Sequence, residues 1–217
     1  MNPEGVERRK RPSSDDLFEL MSVLAHDLRA PLTPIKGYGE ILRTRANLGQ
    51  EKTTAYATIV VEAAARMERS VDLLSGISAL YGGRAEMRTE RLRPVDLVTE
   101  RLDLWRGRAP DRTFAGQTVA AYGAVVADRG WLGKALDVLI DQALRSAPAP
   151  ASVVLEARTN PGGESTSFMV CVSGDADCPE EIKSDRLARA FLISVSDVCG
   201  YPMGDDLVIE VPASPEP

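Results

Sequence analysis

The stretch Leu24-Ala25-His26-Asp27-Leu28-Arg29-Ala30-Pro31-Leu32-Thr33-Pro34-Ile35-Lys36-Gly37-Tyr38 lies inside the register that decides the fold. Apolar-register positions run Met21, Leu24, Leu28, Pro31, Ile35, Tyr38 and Leu42, in steps that alternate between three and four. That alternation is a heptad seam, which keeps one stripe of a helix turned toward a partner. Pro31 falls in the register and the pattern resumes beyond it, so a kink is expected there, not an end. Upstream, Ser13, Ser14, Asp15 and Asp16 supply capping oxygens and negative charge for a helix start. Downstream, a polar turn around Asn47-Leu48-Gly49-Gln50 leads to a second seam, Tyr56, Val60, Ala63, Met67, Ser70, Leu74, Ile77 and Tyr81. Gly82-Gly83 then closes the second helix. Two long helices with matching seams and a short connection make an antiparallel hairpin. A lone hairpin cannot bury all of its apolar surface, whereas two copies forming a four-helix bundle can, so a homodimer is expected.

Beyond the hairpin the periodicity changes. A charged stretch from Arg84 to Arg93 reads as a linker, and Pro94 with Val95, Leu97, Val98, Leu102 and Trp105 predicts a helix over 94–108. A short β segment around Val119–Val126 precedes a helix from about Asp128 to Arg145. Val153–Ala157 and Phe168–Val172 read as paired strands around the turn Asn160-Pro161-Gly162-Gly163. A further helix from about Ser184 to Val198 and a last strand over Leu207–Val211 complete the chain. The expected class is α+β. It comprises a flexible tail (1–13), the hairpin (14–83), the linker (84–93), an α/β sandwich of helices on one face of a mixed sheet (94–213), and a short tail (214–217).

Composition narrows the function classes. The 217 residues are 44% hydrophobic, enough for one large core or two small ones. A net charge of −6 speaks against a general nucleic-acid binder. The cluster Arg8, Arg9, Lys10 and Arg11 reads as part of a solvated tail. No run of about 18 apolar residues indicates a membrane helix, and the N-terminal residues lack the apolar stretch of a signal peptide. No membrane insertion and a cytoplasmic location are therefore expected. Cys171, Cys178 and Cys199 form no C-x-x-C pair and have one histidine to join them, so reduced thiols are expected rather than a zinc site or disulfides.

That one histidine carries the chemistry. His26 is two residues from both Leu24 and Leu28, roughly 200° around a helix from each, which turns the imidazole away from the hairpin core. A nucleophile that must meet a second protein needs this placement. A neutral imidazole attacks phosphorus through one ring nitrogen, while a carboxylate near the other, here Asp27, accepts its proton or holds the tautomer. Arg29, one turn on, offers a guanidinium to phosphoryl oxygens.

The stretch from Leu24 to Tyr38 closely resembles the H-box of sensor histidine kinases, sharing the His-Asp-Leu-Arg-x-Pro-Leu order and the Ile-x-Gly-Tyr run. Arg66-Met67, Val71-Asp72-Leu73-Leu74 and Arg93-Pro94-Val95-Asp96-Leu97 also resemble that family. The likeness covers about residues 14–212 and is strongest before residue 100. It implies dimerisation and phosphorylation on His26. Four positions after the histidine the family commonly has Thr or Asn, which orients water to dephosphorylate the partner. Ala30 stands there in this chain, so phosphatase activity of that type is not expected.

In the family the C-terminal sandwich binds ATP. Asp128-Arg129-Gly130-Trp131-Leu132 through Ala147-Pro148 resembles the helix bearing the magnesium-binding asparagine, but the aligned position holds Gln142. Where the adenine box Asp-x-Gly-x-Gly is expected, the chain reads Gly174-Asp175-Ala176-Asp177-Cys178. The second glycine box is missing, and the last helix opens with Leu187-Ala188-Arg189-Ala190. A phosphate cradle needs small residues and free amides at a helix start. The resemblance therefore implies a degenerate ATPase-like domain and a histidine phosphotransferase that relays phosphoryl groups between response-regulator receiver domains. No cofactor of its own is expected, magnesium entering through the partner receiver. Ser22, His26, Arg29, Ala30 and Thr33 form the expected docking face. Two alternatives remain: an atypical histidine kinase that phosphorylates His26 from ATP, and a non-catalytic pseudokinase that binds or sequesters a regulator.

Overall fold

The computed structural model describes residues 14–45, 48–119, 123–146, 152–172, 185–203 and 208–213. The tails, the start of the polar turn at Asn47 and the degenerate box at 174–178 lie outside these residues. The chain divides into two compact units, one ending at Ala79 and one beginning at Leu80. No helix among the described residues is long and apolar enough to cross a membrane.

The first unit is a helical hairpin. Helix α1 spans Ser14–Thr44 and continues through both Pro31 and Pro34; helix α2 spans Gln50–Tyr81. Tyr38 and Tyr56, one from each seam, meet with ring centroids 5.1 Å apart. Leu24, Pro31, Ala63 and Ile77 of the seams are buried, while Leu28, Ile35, Leu42, Val60, Met67 and Leu74 are half-buried. Met21 departs from the seam expectation, being 62% exposed, and Val23 is buried instead. A pair of helices covers one flank of each stripe, so partial burial of a heptad seam is what two strands of the bundle alone can achieve. Gly83 ends α2 in the left-handed region (φ 67°), its N–H donating to the Leu80 carbonyl at 3.2 Å.

In the second unit, strands β2 (Thr113–Val119), β4 (Ser152–Thr159), β5 (Ser165–Val172) and β6 (Ile209–Pro212) form a sheet in the order β2-β4-β5-β6. β2 is parallel to β4, and the other pairs are antiparallel. β1 (Thr89–Leu92) pairs antiparallel with β3 (Val125–Asp128). Helices α3 (Pro94–Arg108) and α4 (Arg129–Ser146) pack on the strands and on each other, and α5 (Arg186–Cys199) packs on α4. Val153, Leu155 and Ala157 of β4 and Phe168, Val170 and Val172 of β5 are buried, as period-2 alternation requires for one covered face. Leu132, Leu136, Leu139, Ile140 and Ala143 of α4 meet that face, with Leu187, Phe191 and Val195 of α5 completing the core.

Three strands differ from the sequence reading. The β segment expected at 119–126 resolves into β2, which lies earlier, and β3, which ends later; β1 lies within the charged stretch 84–93. Each of β1 and β2 buries a single side chain, Leu92 and Phe114 respectively. Strands with one buried residue carry almost no alternation signal.

Gly116 of β2 lets α3 approach the sheet. A Cβ there would sit 2.7 Å from Leu102 Cδ1 and 2.9 Å from Val98 Cγ1. Those methyl groups can give partly, and alanine also restricts the unfolded chain. Gly116→Ala is therefore expected to destabilise by about 1–2 kcal/mol, read as a lower midpoint in urea unfolding.

Candidate functional site

His26 stands on the solvent side of α1, its side chain 82% exposed. Nδ1 lies 3.2 Å from Asp27 Oδ1. Asp27 is acceptor-only when ionised, so the contact suits the tautomer with its proton on Nδ1. The Nε2 lone pair is then the one presented to an incoming group. The arrangement is local, set by two consecutive residues and a helix that keeps the ring outside the seam.

Ser22, Arg29, Ala30 and Thr33 are all exposed. At 100° per residue they fall within an arc of about 100° that includes His26, so α1 brings the whole set onto one face. Thr33 Oγ1 donates back to the Arg29 carbonyl at 3.4 Å, and Ala30 offers a methyl group alone. The sequence reading did not single out Phe18, which is 75% exposed, two turns before His26. An aromatic side chain at that spacing was the available signal.

In the second unit, Gln142 is 5% exposed, and its Nε2 donates to Asp185 Oδ2 at 2.8 Å. Asp185 Oδ1 accepts from the Ala188 N–H at 2.9 Å and caps α5. The Gln142–Asp185 bond ties the carboxamide on α4 to the start of α5. Leu187 and Ala188, at the α5 start, are buried. The carboxylate already on that helix start disfavours a second anion there.

Residues 16–78 match the family described as His Kinase A (phospho-acceptor) domain. The chain is 31% identical over 140 residues to the Sensor protein DivL of Caulobacter vibrioides, an overlap of 62% of this chain and 18% of that protein. It thus spans about a fifth of that relative's length. Among solved structures, histidine kinase ThkA in complex with response regulator protein TrrA matches with a TM-score of 0.67 and 18% identity, over 93% of this chain and 63% of that one. The Acinetobacter baumannii histidine kinase AdeS matches with a TM-score of 0.55 and 16% identity, over 87% and 97%. At such identities the likeness is one of fold. The hairpin thus matches the phospho-acceptor domain family, with His26 inside the matched residues, and it precedes a sandwich with the fold found in solved histidine kinases.

Proposed function

We propose that this chain is a cytoplasmic, homodimeric histidine phosphotransferase that passes phosphoryl groups between receiver domains of response regulators through His26. The observation that carries this reading is the exposed imidazole with Nδ1 against Asp27 and Nε2 toward solvent. Nε2 attacks the phosphorus of a receiver aspartyl phosphate; the N–P bond forms as the P–O bond to the receiver carboxylate breaks. Asp27 takes or shares the Nδ1 proton as positive charge develops on the ring. Transfer to a second receiver reverses these steps. Arg29 lies within reach of phosphoryl oxygens, and Ala30 has no side chain with which to orient a hydrolytic water.

Supporting the dimer, the hairpin leaves Phe18, Met21, Leu32, Val61 and Val71 exposed, an apolar surface that a second hairpin can cover. Supporting independence from ATP, Gln142 and the α5 start are engaged with Asp185. ThkA, with its response regulator TrrA, is an example of the partner class proposed.

The test compares two donors. Incubated with magnesium and γ-labelled ATP, the purified chain is expected to remain unlabelled; mixed with a panel of aspartyl-phosphorylated receiver domains, it is expected to acquire acid-labile label. Labelling from ATP alone would replace this reading with an atypical kinase. Failure with both donors would leave a binding module.

A further inference from the structure

Asp185 performs two tasks with one carboxylate. Oδ1 receives the Ala188 N–H at 2.9 Å and Oδ2 receives Gln142 Nε2 at 2.8 Å, while the Asp185 carbonyl accepts the Arg189 N–H at 3.0 Å. Ordinary N-cap side chains stop at the first of these bonds. The second comes from a different helix, 43 residues earlier, and from a side chain that is nearly inaccessible to water. Leu139, Ile140 and Ala143, which flank Gln142 on α4, are buried.

The unpaired amides and partial positive charge of a helix start make it a place where an anion is stabilised. At α5 the anion is the protein's own. Two bonds to an ionised acceptor, from donors held by two helices, fix the carboxylate in orientation as well as in position. The length of Gln142 matters: asparagine is shorter by about 1.5 Å, which would stretch the bond beyond hydrogen-bonding distance. Beyond this bond, α5 meets α4 through Phe191, whose ring lies 6.5 Å from that of Trp131.

We infer that Gln142 is a positioning residue that clamps Asp185 as a built-in anion at the start of α5, so that α5 docks on α4 with no ligand bound. The inference rests on the second unit alone and is independent of how His26 acquires its phosphoryl group. It gives the glutamine a role of its own, where the kinase pattern alone presents it as a lost ligand.

The test is a reciprocal exchange, read on the full chain in EDTA without nucleotide, by amide hydrogen exchange at residues 187–190. Gln142→Glu sets two carboxylates against each other, and exchange there is expected to accelerate by about tenfold or more. Asp185→Asn keeps a capping oxygen but turns an NH2 toward Gln142, which must flip to accept it, and it loses the charge, so a smaller acceleration is expected. Combining the two substitutions reverses the bond: the carboxamide now at position 185 donates to the carboxylate now at position 142, while its oxygen still caps Ala188. Protection is then expected to return nearly to the wild-type level. Gln142→Asn, too short to reach, is expected to lose protection like the Gln142→Glu variant. A combined variant as unprotected as Gln142→Glu, or a Gln142→Asn variant as protected as wild type, would overturn the clamp. Because nucleotide is absent throughout, the result stands apart from whatever the two-donor labelling experiment decides about ATP.

Discussion

His26→Ala takes up no acid-labile phosphoryl group from any phosphorylated receiver, yet melts within about 1–2 °C of the wild type. The two halves of this expectation come from the same geometry. An imidazole that is 82% exposed contributes little to the packing of α1, which buries Leu24 and Pro31 on the other side. Chemistry, by contrast, has no substitute: His26 is the one histidine in the chain, and phosphohistidine cannot form without its imidazole. Asp27→Asn separates the roles further. It keeps the size of the neighbour while removing the charge that balances the developing imidazolium, and slows transfer by about 10²-fold. The measurements are transfer kinetics from a labelled receiver and a thermal melt of each variant. Undiminished uptake by His26→Ala would place the phosphoryl group elsewhere and end the proposal.

Which parts of the molecule are legible in the sequence follows from how many residues report each one. The hairpin is written in two seams of seven and eight positions, so a single misfit such as the exposed Met21 does not hide it. The His26 face is legible because its other members stand three, four or seven residues from His26 on one helix. Strands β4 and β5 declare themselves through alternation, with every second residue of β5 buried. β1 and β2 do not, because a strand that buries only Leu92 or only Phe114 looks polar. Gln142 stands out as a departure from the kinase pattern, but its partner does not, since Asp185 is brought to it by the packing of α5 on α4. Side-chain hydrogen bonds over such separations have no periodicity to read.

Asp128 shows the same limit, and the largest expected loss of stability in the second unit falls on it. In the sequence it reads as the start of a helix. In the structure it is 5% exposed and joins three segments. Oδ1 accepts the Trp131 N–H at 2.9 Å, in the manner of an N-cap; Oδ2 accepts the Arg88 N–H at 2.6 Å, where the chain enters β1; and its own N–H donates to the Tyr201 hydroxyl at 2.6 Å. Asp128→Ala removes the cap and leaves a second amide without its acceptor, together about 3–4 kcal/mol, or about 10 °C in melting temperature for a chain of this size. Asp128→Asn retains one accepting oxygen but turns an NH2 group toward the other amide, and should lose about half as much. Tyr201 gives the cluster a pH signature. Burial, reinforced by the nearby Cys199 and Asp128, pushes its hydroxyl well above the usual tyrosine range, while the Asp128 N–H opposes this. A folded-state pKa raised above the unfolded value means that this stability is complete below about pH 10 and is lost as the pH rises beyond it. Tyr201→Phe should therefore flatten the alkaline decline while weakening the fold at neutral pH through the Asp128 N–H left without an acceptor. If Asp128→Ala melted within about 2 °C of the wild type, the two carboxylate bonds would not be what joins α4 to the start of β1.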